Sequence, residues 1–201
     1  MYIILDENNN QIDTNYYESY EQYFANKYVL EDDCVLELGA RFGSVSCAIN
    51  EKLKCKTNQV SVEPDERVFN ALELNKRNNN CEFHIIKGFI SNKPLSLINL
   101  DHYGGYATSS IEDADSIIPS YTLNKIKQKY NLDFNVLVAD CEGFLETFFD
   151  ENPEMYTHLR LVIFEADGEC NYEKIRNNLS ANGFIEIETA MERFQNVWMK
   201  M

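Results

Sequence analysis

The chain has 201 residues, enough for one domain with a real hydrophobic core. Its 33 acidic and 18 basic side chains leave a net charge of −15, which argues against a protein held to nucleic acid or anionic lipid by phosphate contacts. The six cysteines form no C-x-x-C pair and have no paired histidines beside them, so no zinc pattern is present. The N-terminus lacks the basic and apolar regions of a signal peptide, and no apolar run approaches about 20 residues. A cytoplasmic protein with reduced thiols is expected, with no nucleic-acid partner and no membrane span.

In chain order, Tyr2 to Leu5 is a short apolar piece and Asn8-Asn-Asn10 a turn. Asn15 to Leu30 reads as a helix, because Tyr16, Tyr20, Tyr23, Phe24 and Tyr28 fall on one helical face. That stripe is read as packing. Cys34-Val-Leu-Glu-Leu38 is a strand, followed by a glycine turn and a helix from Ser44 to Leu53. Gln59-Val-Ser-Val-Glu63 is the next strand, Asp65 to Asn78 a helix, and Glu82-Phe-His-Ile-Ile86 a strand. Residues 91–118 read as irregular. Ser120 to Tyr130 is a helix, Asn135 to Ala139 a strand, Phe144 to Asp150 a helix and Leu159 to Phe164 a strand. Asn171 to Ala181 is a helix, and Phe184 to Thr189 and Phe194 to Met199 form a closing hairpin. The alternation predicts an α/β domain with a mostly parallel seven-stranded sheet, helices on both faces and an antiparallel C-terminal hairpin. Residues 1–33 form a strand/helix extension, and residues 34–201 the domain proper.

The informative stretch is Val35-Leu-Glu-Leu-Gly-Ala-Arg-Phe-Gly-Ser44, a turn of the form E-x-G-x-x-x-G between a strand and a helix. In a doubly wound sheet, ligands bind beyond the carboxyl ends of the strands. Gly39 permits a tight turn beside a ligand, and Gly43 permits a helix to start close to it. The spacing is not the G-x-G-x-x-G of dinucleotide sites. Glu63 ends the second core strand, 24 positions after Gly39, where a carboxylate accepts ribose hydroxyls. The turn and the strand ending in Val62-Glu63-Pro64 together resemble the S-adenosylmethionine site of class I methyltransferases.

Further motifs narrow the resemblance. Val136-Leu-Val-Ala-Asp-Cys-Glu-Gly-Phe-Leu-Glu146 resembles the D-x-E-G-x-E signature of FkbM-like methyltransferases. Pro119-Ser-Tyr-Thr-Leu-Asn-Lys-Ile126, Leu161-Val-Ile-Phe-Glu165, Lys87-Gly-Phe-Ile-Ser91 and Tyr17-Glu18 resemble further segments of that family. Two positions depart from its first motif: Glu37 replaces an aspartate, and Arg41 stands where asparagine is usual. The resemblance implies a Rossmann-like fold, O-methylation of a hydroxyl, often on a sugar or glycan, and S-adenosylmethionine as donor. It assigns the cofactor to Tyr17, Glu18, Glu37, Gly39, Ala40, Arg41, Gly43, Ser44, Glu63, Pro64, Gly88, Phe89, Ile90, Asp140 and Cys141.

Methyl transfer to a hydroxyl needs positioning and removal of the hydroxyl proton. Asp140 ends the fourth core strand and is the first candidate base, with Glu165 beside it on the fifth. His102, in the glycine-containing loop Asp101-His-Tyr-Gly-Gly-Tyr-Ala-Thr-Ser-Ser110, is a further candidate. Asp140, Glu142, Glu165 and Asp167 are carboxylates at neighbouring strand ends, and form a candidate oxygen site for a divalent cation such as Mg²⁺. The bland alternative places Glu142 and Glu146 as decoration of a helix N-terminus. His84 reads as structural, and His158 lies at the wrong end of its strand.

Two other functions stay open: methylation of another small molecule or a protein side chain, and a non-catalytic binding module on the same fold. The charge itself is uneven. Residues 140–173 carry ten acidic side chains and one basic, and residues 1–33 carry eight and one. An acidic rim favours a sulfonium donor and an uncharged acceptor.

Overall fold

The computed structural model describes residues 2–99 and 108–201. In β3 (Val35–Leu38), successive side chains enter different layers. Val35 packs with Phe24, Ala48 and Ile49, while Leu36 packs with Leu123, Phe148 and Leu179. The same alternation runs through β10 (Val136–Ala139), with Val136 on the first side and Leu137 on the second. Strands buried on both faces need helices on both faces.

The central sheet also contains β4 (Gln59–Glu63), β5 (His84–Lys87), β11 (Leu161–Glu165), β12 (Phe184–Ala190) and β13 (Gln195–Lys200). Its order is β12-β13-β11-β10-β3-β4-β5. The five strands from β11 to β5 run parallel, and β13 enters antiparallel between β11 and β12. The sheet matches the expected architecture. The chain runs outward in one direction from β3 through β4 to β5, and in the other from β10 through β11. The boundary between β3 and β10 is therefore the topological switch point, where a crevice opens beyond the strand ends.

The helices are α1 (Ser19–Tyr28), α2 (Ser44–Lys52), α3 (Phe69–Asn78), α4 (Leu123–Tyr130), α5 (Leu145–Glu151), α6 (Met155–His158) and α7 (Tyr172–Ala181). The N-terminal segment forms a small hairpin, β1 (Ile4–Leu5) with β2 (Gln11–Ile12), turned at the Asn8-Asn-Asn10 tract. It is tied to α3, because Asn75 and Asn79 exchange hydrogen bonds with the backbone of Leu5 and Ile3.

Three local expectations change. First, the helix expected from Asn15 begins only at Ser19. The Asp13 carboxylate and carbonyl hold a turn over residues 15–17, and Glu18 sits at φ 49°. The inward face of α1 is made of Glu21, Gln22, Phe24 and Ala25, so Tyr16, Tyr20 and Tyr23 of the aromatic stripe are exposed rather than packed. Second, the segment read as irregular contains a hairpin, β7 (Leu95–Ile98) with β8 (Ser109–Glu112). Third, Ser120–Tyr121 is a short strand, β9, beside β6 (Phe89–Ile90), and α4 starts after Thr122, whose side chain caps it. Among the described residues, no helix is long and apolar enough to cross a membrane.

Candidate active site

At the end of β3, Gly39 takes φ 85°, and the amides of Gly39 and Ala40 both donate to the carbonyl of Val62 at 3.0 Å. A Cβ on Gly39 would lie 1.6 Å from the carbonyl oxygen of Asp140. No other residue lets the ends of β3 and β10 approach so closely. Arg41 follows at φ 43°, and its guanidinium donates to Asp65 Oδ2 at 2.9 Å.

Glu63 ends β4 with its carboxylate pinned on both oxygens. Oε2 accepts the amide of Arg41 at 2.7 Å, and Oε1 accepts the amide of Asp65 at 2.8 Å. Burial pushes this carboxyl up to about 7, against the pull of the two amides and of Arg41. Each carboxylate oxygen has two acceptor positions, so one remains on each for a ligand. Beyond it, the Gly88 amide donates to the Glu63 carbonyl at 2.9 Å, and a Cβ on Gly88 would meet the Pro119 carbonyl oxygen at 2.2 Å. The chain at Gly88-Phe89-Ile90 is thereby pressed against β9 and the mouth of the crevice.

A cavity of about 450 Å³ runs across these strand ends. Tyr17, Glu18, Gly39, Arg41, Glu63 and Pro64 line one part of it. Gly88, Phe89, Ile90, Asp140, Cys141 and Glu165 also face it. The structure thus brings these twelve of the expected positions to one cavity. Four others lie behind the wall: Glu37, Ala40, Gly43 and Ser44 are buried and do not line the cavity. Glu37 points instead between the sheet and α2. Its Oε2 accepts the hydroxyls of Ser46 and Ser61 at 2.5 Å, and Oε1 has no partner among the described residues. Burial raises its carboxyl to about 7. Ser44 donates to Glu18, tying the α2 N-terminus to the turn before α1. His102 lies outside the described residues.

At the switch point the cavity floor is acidic. Ligand oxygens of Glu21, Asp140 and Glu165 lie within 4.8 Å of one another. Gln195 donates from Nε2 to both Glu21 and Glu165. Burial, then the nearby Glu165, raises Asp140 well above the usual carboxylate range. Burial, then Glu21, raises Glu165 to about 9, and burial raises Glu18 to about 8. Burial and the crowding of like charges favour the protonated form of these carboxyls. The expected partners Glu142 and Asp167 do not complete this cluster. Asp167 is spent on the turn after β10, accepting the amides of Glu142 and Gly143 at 3.0 and 3.2 Å and the Tyr172 hydroxyl at 2.9 Å.

Sequence reasoning missed Glu21 and Gln195. Glu21 stands one helical turn after Glu18, a spacing that was available once the helix start was known. Gln195 had no signal. It reaches the floor only because β13 pairs antiparallel with β11, setting Gln195 opposite Glu165.

The strand order and this crevice define the Rossmann-like fold of class I methyltransferases. Solved structures agree on the fold. A precorrin-6y C5,15-methyltransferase from Geobacter metallireducens is 12% identical, covering 91% of this chain and 88% of its own, with a TM-score of 0.54. A ribosomal protein L11 methylase from Lactobacillus delbrueckii subsp. bulgaricus is 15% identical, covering 91% and 78%, with a TM-score of 0.53. An rRNA methylase from Streptococcus thermophilus is 9% identical, covering 90% and 95%, with a TM-score of 0.52. No protein-family model and no curated protein matches the chain. The FkbM-like resemblance therefore stands on its motifs alone.

Proposed function

We propose that the chain is an S-adenosylmethionine-dependent methyltransferase acting on a hydroxyl of a sugar or glycan. The observation that carries the cofactor half is Glu63, pinned by two backbone amides beside the Gly39 turn with an acceptor left on each oxygen. That arrangement suits the two hydroxyls of a ribose. Gly88, Phe89 and Ile90 would border the adenine. Tyr17, Glu18, Gly39, Arg41 and Cys141 would surround the methionine end, where acidic Glu18 favours an ammonium. The bound donor supplies a methyl group on a cationic sulfur. Buried Glu37, Ala40, Gly43 and Ser44 then act from behind, by holding the turn in shape.

Asp140 and Glu165 would take the acceptor's proton as the methyl group is transferred. Asp140 lies at the switch point with Glu165 on the neighbouring strand, and burial raises both above the usual carboxylate range. A divalent cation fits the oxygen donors of Glu21, Asp140 and Glu165 by chemistry, and would supply positive charge beside the acceptor oxygen. The D-x-E-G-x-E motif supports the FkbM-like reading and, with it, a hydroxyl acceptor. The fold is shared with RNA and protein methylases, so it does not separate acceptors. The acidic crevice is what disfavours a phosphate-rich one.

Calorimetry with S-adenosylhomocysteine, followed by donor consumption against neutral mono- and oligosaccharides, tests this reading. Micromolar binding and turnover on a saccharide are expected. No heat at high micromolar ligand removes the cofactor assignment, and turnover only on RNA or protein removes the acceptor.

A further inference from the structure

The exposed apolar side chains are not scattered at random around the crevice. Tyr16 is 83% exposed, Tyr20 45%, Met191 58% and Phe194 37%, and all four line the cavity. They come from two segments far apart in the chain: the start of α1 and the turn between β12 and β13. Gln195, 2% exposed, lies at the bottom of the same side. Its Nε2 is held by Glu21 and Glu165, while its Oε1 has no partner among the described residues. A buried carbonyl left without a donor is costly unless something supplies one.

The turn that presents Met191 and Phe194 is held in an uncommon conformation. Met191, Glu192 and Arg193 take φ 51°, 56° and 69°, in the left-handed region that residues with a Cβ avoid. It is fixed from several sides. Arg193 Nη2 donates to Glu186 at 3.0 Å, Arg176 donates to the Arg193 carbonyl at 3.2 Å, and the Ala166 amide donates to the Phe194 carbonyl at 2.6 Å. A conformation held against its preference, at the lip of a cavity, points to a use for the side chains it displays.

Sheet order separates this region from the cofactor's. Glu63 and Gln195 sit on strands four places apart, β4 and β13, about 19 Å at roughly 4.8 Å per strand. The cavity's β3–β4–β5 side holds Gly39, Glu63 and Gly88-Phe89-Ile90 of the assigned cofactor residues. Its β10–β11–β13 side holds the acidic floor, Gln195 and the apolar lip.

We infer that Tyr16, Tyr20, Met191 and Phe194 form an acceptor subsite that seats the apolar face of a sugar ring, with Gln195 Oε1 and the carboxyls of Glu21 and Glu165 taking its hydroxyls. This rests on the methyltransferase reading and assigns its specificity. Aromatic faces take the C–H side of a ring, and the polar edge is left for hydrogen bonds. The carboxyl oxygens and the unpartnered Gln195 Oε1 accept hydrogen bonds from ring hydroxyls. A second methyl acceptor class, a primary amine over an aromatic and acidic cage, is the alternative outcome of the test.

Saturation-transfer NMR, with the protein loaded with S-adenosylhomocysteine, reads this directly. The probes are methyl glycosides of glucose, galactose and rhamnose, their disaccharides, and cadaverine. Transfer to ring C–H protons of at least one saccharide is expected in the natural chain. Phe194→Ala and Tyr20→Ala should reduce it at least fivefold, and Phe194→Tyr should restore it. Homocysteine-ligand affinity should stay within twofold throughout. Tyr16→Ala, at the most exposed position, is the variant least able to disturb folding, and should weaken transfer in the same direction. No transfer to any saccharide at millimolar concentration, transfer to cadaverine alone, or full transfer in the Ala variants overturns the subsite. Failure of S-adenosylhomocysteine to bind overturns the methyltransferase reading itself.

Discussion

Gly39 and Asp140 are in backbone contact across the switch point: a Cβ on the glycine would stand 1.6 Å from the aspartate's carbonyl oxygen. The cofactor turn and the candidate base are thus one rigid unit. Gly39→Ala cannot be absorbed by a side-chain movement, because the obstacle is backbone, and the φ of 85° adds strain. The expected result is a lower melting temperature and loss of S-adenosylhomocysteine binding, read by thermal denaturation and calorimetry. An unchanged affinity would separate the turn from the ligand.

Glu63→Ala removes a carboxylate that holds two backbone amides as well as the proposed ribose contact. Affinity for S-adenosylhomocysteine should fall by about 1–3 kcal/mol, roughly five- to a hundred-and-fiftyfold. Calorimetry checks it. A loss of stability with affinity intact would make Glu63 a purely structural residue.

Asp140→Asn keeps the shape and removes the proton acceptor. Turnover should fall by about 10²–10⁴, the usual contribution of a positioned base, with cofactor affinity changed far less. Steady-state kinetics alongside calorimetry separates the two effects. Equal losses in both would place Asp140 in cofactor binding alone.

The buried carboxyls also set a pH dependence. Glu63 is raised to about 7, Glu18 to about 8 and Glu165 to about 9. Between the ordinary value of about 4.3 and these raised values the folded chain binds more protons than the unfolded one. Stability from these groups is therefore full at acid pH and is lost as pH rises through each folded value. The ligand-free melting temperature should fall from about pH 6 to about pH 9. A rise across that window would contradict it. Catalysis should run the opposite way, with kcat/KM increasing toward pH 9 as Glu165 becomes available as a base.

Chelation reads the acidic cluster separately. If Glu21, Asp140 and Glu165 hold a divalent cation during turnover, EDTA should abolish activity and Mg²⁺ restore it, while S-adenosylhomocysteine binding persists. Indifference to EDTA would leave Asp140 and Glu165 to act without a cation.

Much of this architecture was legible because its causes are local. Doubly buried strands such as Val136 to Ala139 read as continuous apolar runs, and the alternation of strand and helix specifies parallel neighbours. The glycine turn and the strand-end Glu63 were legible for the same reason: strand, turn and helix follow one another in the chain. The start of α1 was not, since aromatic spacing continued through a turn that Asp13 and Glu18 close by hydrogen bonds and a left-handed backbone. Glu37 was assigned to the ligand by position, yet it turns inward because Ser46 on α2 and Ser61 on β4 offer its carboxyl two hydroxyls.

The sequence by itself determined the fold class, the strand ends that border the crevice, and the candidates Gly39, Glu63, Asp140 and Glu165. Periodicity, glycine and strand-end carboxylates act over a few residues, so they can be read from neighbours in the chain. Only the tertiary structure decided which carboxyls meet. Glu21 arrives on α1, Gln195 arrives because β13 inserts beside β11, and Asp167 is withdrawn to hold a turn. Those outcomes depend on packing between segments 25 to 174 residues apart, where nothing in the local order of residues selects the partner.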